Sequence, residues 1–161
     1  KSKYPEIIEL KQLVTTLVTD MSIIAGDYMI FGSFDDFKSI ETWDVSNVTS
    51  MAGLFNTCNC FNPNYGNIEN MPDLTYWDVS SVTNMSGMFS HIYGGAMFNQ
   101  DISGWDVSNV TDMTRMFMGN QYFNQDLSSW DVSKVTNCSQ FSDTYSSQWT
   151  LPQPNFPISC N

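Results

Sequence analysis

Asp44, Asp78, Asp106 and Asp131 recur in one frame, Trp-Asp-Val-Ser, with Ser46, Ser80, Ser108 and Ser133 two positions on. Carboxylates and hydroxyls at fixed spacing can ligate a cation, move protons, or accept hydrogen bonds from the backbone beside them. If the four aspartates stack about 5 Å apart, neighbouring charges repel by about 0.8 kcal/mol in water and by more where water is excluded. Something must offset that repulsion. Either each Asp accepts hydrogen bonds from amides or from the nearby Ser hydroxyl, as short polar side chains do at turns, or the column collects cations, with Ca2+ bridged between repeats. No DxDxDG loop concentrates calcium ligands, so Ca2+ is the lesser reading and no cofactor is expected.

Catalysis requires convergent, unlike groups whose pKa values are pushed apart, whereas these carboxylates repeat in identical surroundings. His91 is the sole histidine and lies beside Gly94 and Gly95, which predicts an exposed loop rather than a base. GxSxG, a phosphate-cradling glycine loop and HExxH are all missing. An enzyme is not expected. A zinc site is not expected either, because Cys58-Asn-Cys60 with one distant cysteine pair and one histidine lacks the usual ligand spacing.

The elements that carry these residues follow from a repeat. Trp43, Trp77, Trp105 and Trp130 are separated by 34, 28 and 25 residues. Insertions between Phe61 and Trp77 and between Phe89 and Phe98 account for the two longer spacings, leaving a unit of 25. Such a period predicts units that cannot bury their apolar faces alone and stack on their neighbours. Ile102, Trp105 and Val107 have the LxxLxL spacing of a leucine-rich-repeat strand, and Val110, Met113, Met116 and Phe117 suit a turn followed by short helix. The expected fold is an α/β repeat, a leucine-rich-repeat-like solenoid of four coils with a parallel sheet. Residues 1–161 form one domain: an N-terminal helical cap over 1–36 with an amphipathic helix at 5–20, four repeats over 37–142, and an irregular Pro- and aromatic-rich C-terminal cap over 143–161.

The repeated string FNQDIS-W-DVS-VT-M--MF resembles the BspA-type bacterial surface-protein repeat, a leucine-rich-repeat-like family that includes mycoplasma lipoproteins of unknown function. The resemblance covers residues 40 to 142 in register. It implies a right-handed solenoid on a secreted or surface-anchored protein, with adhesion or ligand recognition as the usual role, and it implies no reaction. The pattern breaks at both ends, where FNPNYGN stands at 61–67 and Cys138 replaces Met.

The net charge of -11 argues against a nucleic-acid partner, which would need clustered Lys and Arg. The apolar run 13–31 is broken by Asp20 and Asp27, so no transmembrane segment is expected. On stacked repeats Cys58 and Cys138 lie about 14 Å apart, beyond disulfide reach, so Cys138 pairs with Cys160 in the folded-back tail. Cys58 and Cys60 are left to close a tight ring or remain thiols. Sequons stand at Asn47, Asn84, Asn109 and Asn137, with Asn-Thr-Cys at Asn56.

These features predict a non-catalytic binding or adhesion module, extracellular or at the cell surface, that recognises protein or glycan. Its face would include Thr42, Asp44, Tyr76, Asp78, Asp106 and Asp131 together with the loop insertions. The alternative is a structural subunit that polymerises head-to-tail into a filament, possible because the two ends of such a stack differ.

Overall fold

The computed structural model describes residues 18–22, 38–56, 72–91, 97–142 and 148–160. Four rungs, 40–55, 74–89, 102–117 and 127–141, are each built from three successive β-turns. The first turn is closed by Trp43 N to Ile40 O at 3.0 Å and by Trp77 to Leu74, Trp105 to Ile102 and Trp130 to Leu127 at 3.1 Å. The second joins Val48 to Val45, Val82 to Val79, Val110 to Val107 and Val135 to Val132. The third joins Leu54 to Met51, Met88 to Met85, Met116 to Met113 and Phe141 to Cys138.

A turn of this kind brings residues i and i+3 together at its base and leaves i+1 and i+2 at its tip. Here both base residues are apolar and point inward: Ile102, Val110, Met113 and Met116 are each 0% exposed, and Trp105 is 4% exposed. The tips are the polar residues between them. The spacing that resembled a leucine-rich-repeat strand is therefore the base pair of a turn followed by the start of the next.

This corrects the expected architecture. The chain does not form an α/β leucine-rich-repeat-like solenoid with a parallel sheet. Among the described residues helix is confined to Lys38 and the 3-10 turn Ser39–Thr42 that follows it. Neighbouring rungs meet through single-residue parallel bridges running Asp20, Ser50, Asn84, Asp112, Asn137. Two physical causes account for the difference. Asp or Asn oxygens capture the amide two residues on and bend the chain at each corner, in competition with a strand ladder. The third-turn amides, which a helix would use internally, instead donate to the next rung: Met85 N to Asp112 O at 2.9 Å, Gly87 N to Thr114 O at 2.7 Å and Phe89 N to Met116 O at 2.9 Å.

Side chains repeat the same stacking. The indole Nε1 of Trp77 donates to Ile40 O at 3.1 Å, that of Trp105 to Leu74 O at 3.0 Å and that of Trp130 to Ile102 O at 3.1 Å. Trp43 stands on the first of the four rungs, and its buried Nε1 has no acceptor among the described residues. Phe55, Phe89 and Phe117 stack with ring centroids 5.5 and 5.6 Å apart, and Phe98 and Phe123 form a second column at 5.9 Å. The threonine column uses its hydroxyls the same way, with Oγ1 of Thr49, Thr83, Thr111 and Thr136 each donating to the preceding threonine's carbonyl.

The two ends differ. The helix expected over 5–20 lies outside the described residues except for 18–20, and these are not helical: Thr49 N donates to Thr19 O at 2.8 Å and Met21 N to Ser50 O at 2.9 Å. At the C-terminal end Trp149 packs edge-on against Phe117 and Phe123 at 5.4 and 4.7 Å and lies tilted against Phe141 at 5.9 Å. Cys138, at the core position that Met51, Met85 and Met113 hold in the other rungs, is bonded to Cys160. Closing a loop with a sequence separation of 22 removes unfolded-state freedom equivalent to about 3 kcal/mol. Cys58 and Cys60 lie outside the described residues.

The tip of the third turn requires a left-handed residue. Gly53 and Gly87 supply it at φ 63 and 61, but Arg115 and Gln140 occupy the same place at φ 55. Their side chains pair, with Arg115 Nε donating to Gln140 Oε1 at 2.8 Å. A Cβ in this conformation costs roughly 1 kcal/mol or more. Arg115→Gly is accordingly expected to raise stability by about 0.5–1 kcal/mol after loss of the exposed side-chain bond. Gly87→Ala is expected to lower it by about 1 kcal/mol, since φ rather than space is the obstacle. Thermal unfolding followed by circular dichroism checks both; shifts in the same direction would refute the assignment of strain.

Candidate binding face

The tips of the first and second turns form the exposed strip on which the sequence-predicted residues stand. Thr42, Tyr76, Gly104 and Ser129 occupy the same tip position of the first turn, and all four are exposed. Asp44, Asp78, Asp106 and Asp131 follow directly, between the inward-pointing Trp and Val of their rungs, and are exposed as well. The predicted column therefore exists as a row of turn corners rather than as the face of a sheet.

Each of these aspartates caps the turn that follows. Asp44 Oδ1 accepts from Ser46 N at 3.1 Å and Ser46 Oγ at 2.6 Å, and Asp78 does the same with Ser80 at the same distances. Asp106 and Asp131 accept from Ser108 N and Ser133 N at 3.0 Å. Backbone capture is thus the means by which the column tolerates its own charge. Lys134 adds to it on the last two rungs, where its charge favours the ionised forms of Asp106 and Asp131. Among the described residues no group of three or more His, Cys, Asp or Glu is placed to hold a metal ion.

A second carboxylate column was not legible as such. Asp73, Asp101 and Asp126 cap the first turn through Thr75 N, Ser103 N and Ser128 N, each at 3.0 Å. The signal for them is a recurring Asp, apolar, Ser or Thr triplet that sits both before and after the tryptophan. Asn84 and Asp112 continue the rule at the third turn, accepting from Ser86 N at 2.9 Å and Thr114 N at 2.8 Å. Asp20 with Ser22 belongs to the same series, so Val-Thr-Asp-Met-Ser at 18–22 is a rung fragment matching Val-Thr-Asp-Met-Thr at 110–114.

Tyr76 departs most from its column: it is 88% exposed, where the equivalents are Thr, Gly and Ser. Nothing lies within 4 Å of the point where a Cβ on Gly104 would stand. His91, expected in an exposed loop, is instead buried at 5% exposure, and burial lowers its pKa below the ordinary value. Its carbonyl is only 2.1 Å from where a Cβ on Gly119 would fall, so that approach requires glycine.

The sequons divide by environment. Asn47 and Asn109 occupy equivalent second-turn tips and are exposed, with Asn109 also donating to Ser80 O at 2.8 Å. Asn84 and Asn137 are bridge residues with Oδ1 engaged by Ser86 and Ser139, and the Oδ1 of Asn56 is buried.

A family model described as Mycoplasma protein of unknown function, DUF285, matches residues 5–90 and again residues 64–151. The chain belongs to the DUF285 family. The two matches overlap, as a repeat that can align in more than one register allows. No curated protein and no solved structure matches the chain. Among the described residues of this DUF285 protein no helix is long and apolar enough to cross a membrane.

The caps set a pH dependence. Asp20, Asp44, Asp73, Asp101, Asp106, Asp126 and Asp131 all have lowered pKa values, chiefly because the hydroxyl two residues on, and then its amide, bind the ionised form. A depressed folded pKa gives stability that is full above the unfolded value near 3.8 and is lost as pH falls through the folded value. The melting temperature should therefore hold from pH 7 to about 5 and fall below about 4. A triple variant Asp44→Asn, Asp106→Asn, Asp131→Asn keeps an acceptor oxygen but cannot titrate, so its melting temperature should fall less over that range. Parallel curves would show that these caps do not carry the acid response.

Proposed function

We propose that this protein is a non-catalytic binding module, extracellular or at the cell surface, which recognises its partner with the first- and second-turn tips. The observation that carries this reading is Tyr76. Its scaffold is uniform from rung to rung, and a fully projecting aromatic ring in a column of small residues contributes nothing to the stack. Large exposed aromatics on rigid elements are typical anchors of recognition surfaces. The BspA-type resemblance of the repeat and membership of DUF285 support a surface location. The carboxylates are committed to turn caps and recur in like surroundings, which supports binding over catalysis.

The head-to-tail filament has less support. The C-terminal end of the stack is covered by its own tail, with Leu127 N donating to Pro152 O at 3.0 Å and Gln140 N to Cys160 O at 2.9 Å.

Arrays of glycans and extracellular-matrix proteins probed with the labelled full chain test the reading. Saturable binding is expected, and the double variant Tyr76→Ala, Asp106→Asn is expected to reduce it at least tenfold, as loss of a central aromatic anchor does. Unchanged binding by a double variant that melts like the wild type would remove the turn tips from the account.

A further inference from the structure

We propose that the Tyr76 tip seats a cationic group, a lysine or arginine side chain of a partner protein, over its ring; this rests on the turn tips being the binding face. Tyr76 is flanked within its own rung by Asp73 and Asp78, and the next rung places Asp101 and Asp106 on either side of Gly104. All four carboxylates are exposed. Asp73, Asp78, Asp101 and Asp106 each commit Oδ1 to a turn cap, which leaves the second oxygen of each exposed carboxylate outside the cap. Tyr76 itself is 88% exposed, and no atom lies within 4 Å of where a Cβ on Gly104, its equivalent in the next rung, would stand.

Local cations reach this place only at its margins, with Lys38 acting on Asp73 and Lys134 on Asp106. Residues 72–82 and 101–111, which make the first and second turns of these two rungs, contain no Lys or Arg. Lys38 is paired with Glu41 at 3.4 Å, and Lys134 donates to Asn109 Oδ1 at 2.7 Å. Arg115 belongs to the third turn and is engaged with Gln140. An aromatic face attracts a cation through its quadrupole, and the surrounding carboxylates reinforce that attraction over a distance set by ionic strength. An anionic ligand would be repelled by the same groups. A neutral sugar would gain from the ring but nothing from the charge, so charge complementarity selects the basic protein segment.

Fluorescence anisotropy of labelled hexalysine titrated with the full chain provides the test, with hexaglutamate and a neutral oligosaccharide as comparators. Hexalysine is expected to bind, and to bind less tightly as NaCl is raised. Tyr76→Ala should weaken binding about three- to thirtyfold, whereas Tyr76→Phe, which keeps the ring, should stay within about twofold. Asp78→Asn with Asp101→Asn should also weaken it while leaving the melting temperature near wild type, because asparagine can make the same cap. Asp112→Asn is the control: rungs two and four carry Asn84 and Asn137 there, so one charge is lost away from the tip without disturbing the fold. Binding of hexalysine that is insensitive to Tyr76→Ala, or equally sensitive to Asp112→Asn, overturns the cationic seat. If the array binding above still depends on Tyr76, the recognition face survives that result; if it does not, the face falls as well.

Discussion

The capture of a backbone amide by the Asp or Asn two residues before it is the constraint on which this structure depends. It occurs ahead of the first turn at Asp73, Asp101 and Asp126, ahead of the second at Asp44, Asp78, Asp106 and Asp131, and ahead of the third at Asn84 and Asp112, and Asp20 captures Ser22 N in the same way. Its energy is modest, about 0.5–1.5 kcal/mol net for a typical bond. Burial of the rung's apolar side chains is worth more, about 1.5–3 kcal/mol for each of Ile, Val, Met and Phe. The burial holds the stack together, while the caps determine its shape. Without a bend after each cap, residues i and i+3 of a turn could not both face inward, and the apolar residues would alternate between faces as on a strand.

Separation of shape from cohesion frees the tips. Base residues are held by packing at near-zero exposure, so a change there opens a cavity or forces strain. Tip residues i+1 and i+2 touch little, and the first-turn tip accommodates Thr42, Tyr76, Gly104 and Ser129 on the same backbone. The third-turn tip is the exception because its φ is positive, and glycine is replaced there only where Arg115 and Gln140 can pair across rungs. A uniform frame with substitutable corners suits recognition, since specificity can change at one tip without altering the rungs beside it.

The sequence exposed the period, the core ladders and the amide-capping option because each depends on recurrence, and recurrence survives without knowledge of local conformation. It did not expose the element type. Apolar residues at i, i+3 and i+5 fit both LxxLxL and a turn base followed by the next turn, and only the Asp, apolar, Ser or Thr triplets distinguish them. That triplet is present at Asp73, Asp101 and Asp126 as well as after each tryptophan. At 18–22 the triplet marks a rung fragment, but its apolar residues also satisfy a helical stripe that Leu10, Leu13 and Leu17 extend upstream. The burial of His91 is hidden from the sequence for a different reason. Glycines nearby signalled a loop, but burial of His91 depends on the approach of Gly119 from the following rung, a long-range contact that no local pattern encodes.

The last rung shows what a repeat needs once its neighbour is gone. In the earlier rungs the third-turn amides find acceptors on the following one, as Met113 N does with Asn137 O at 2.8 Å and Arg115 N with Ser139 O at 3.0 Å. Among the described residues rung four has no successor, and the tail supplies substitutes: Cys160 O receives Gln140 N of the third turn, and Pro152 O receives Leu127 N of the first. Trp149 imitates the indole ladder as well, donating from Nε1 to Gln125 O at 2.9 Å. Asn124 Oδ1 accepts from Thr150 N and Leu151 N at 2.8 and 3.0 Å, so the tail is held by side chain as well as backbone. A proline-rich segment can do this because it has carbonyls to offer and few amides to satisfy. The same composition that prevents the tail from forming a fifth rung makes it an effective end, and the replacement of a core Met by Cys138 fixes that end covalently through Cys160.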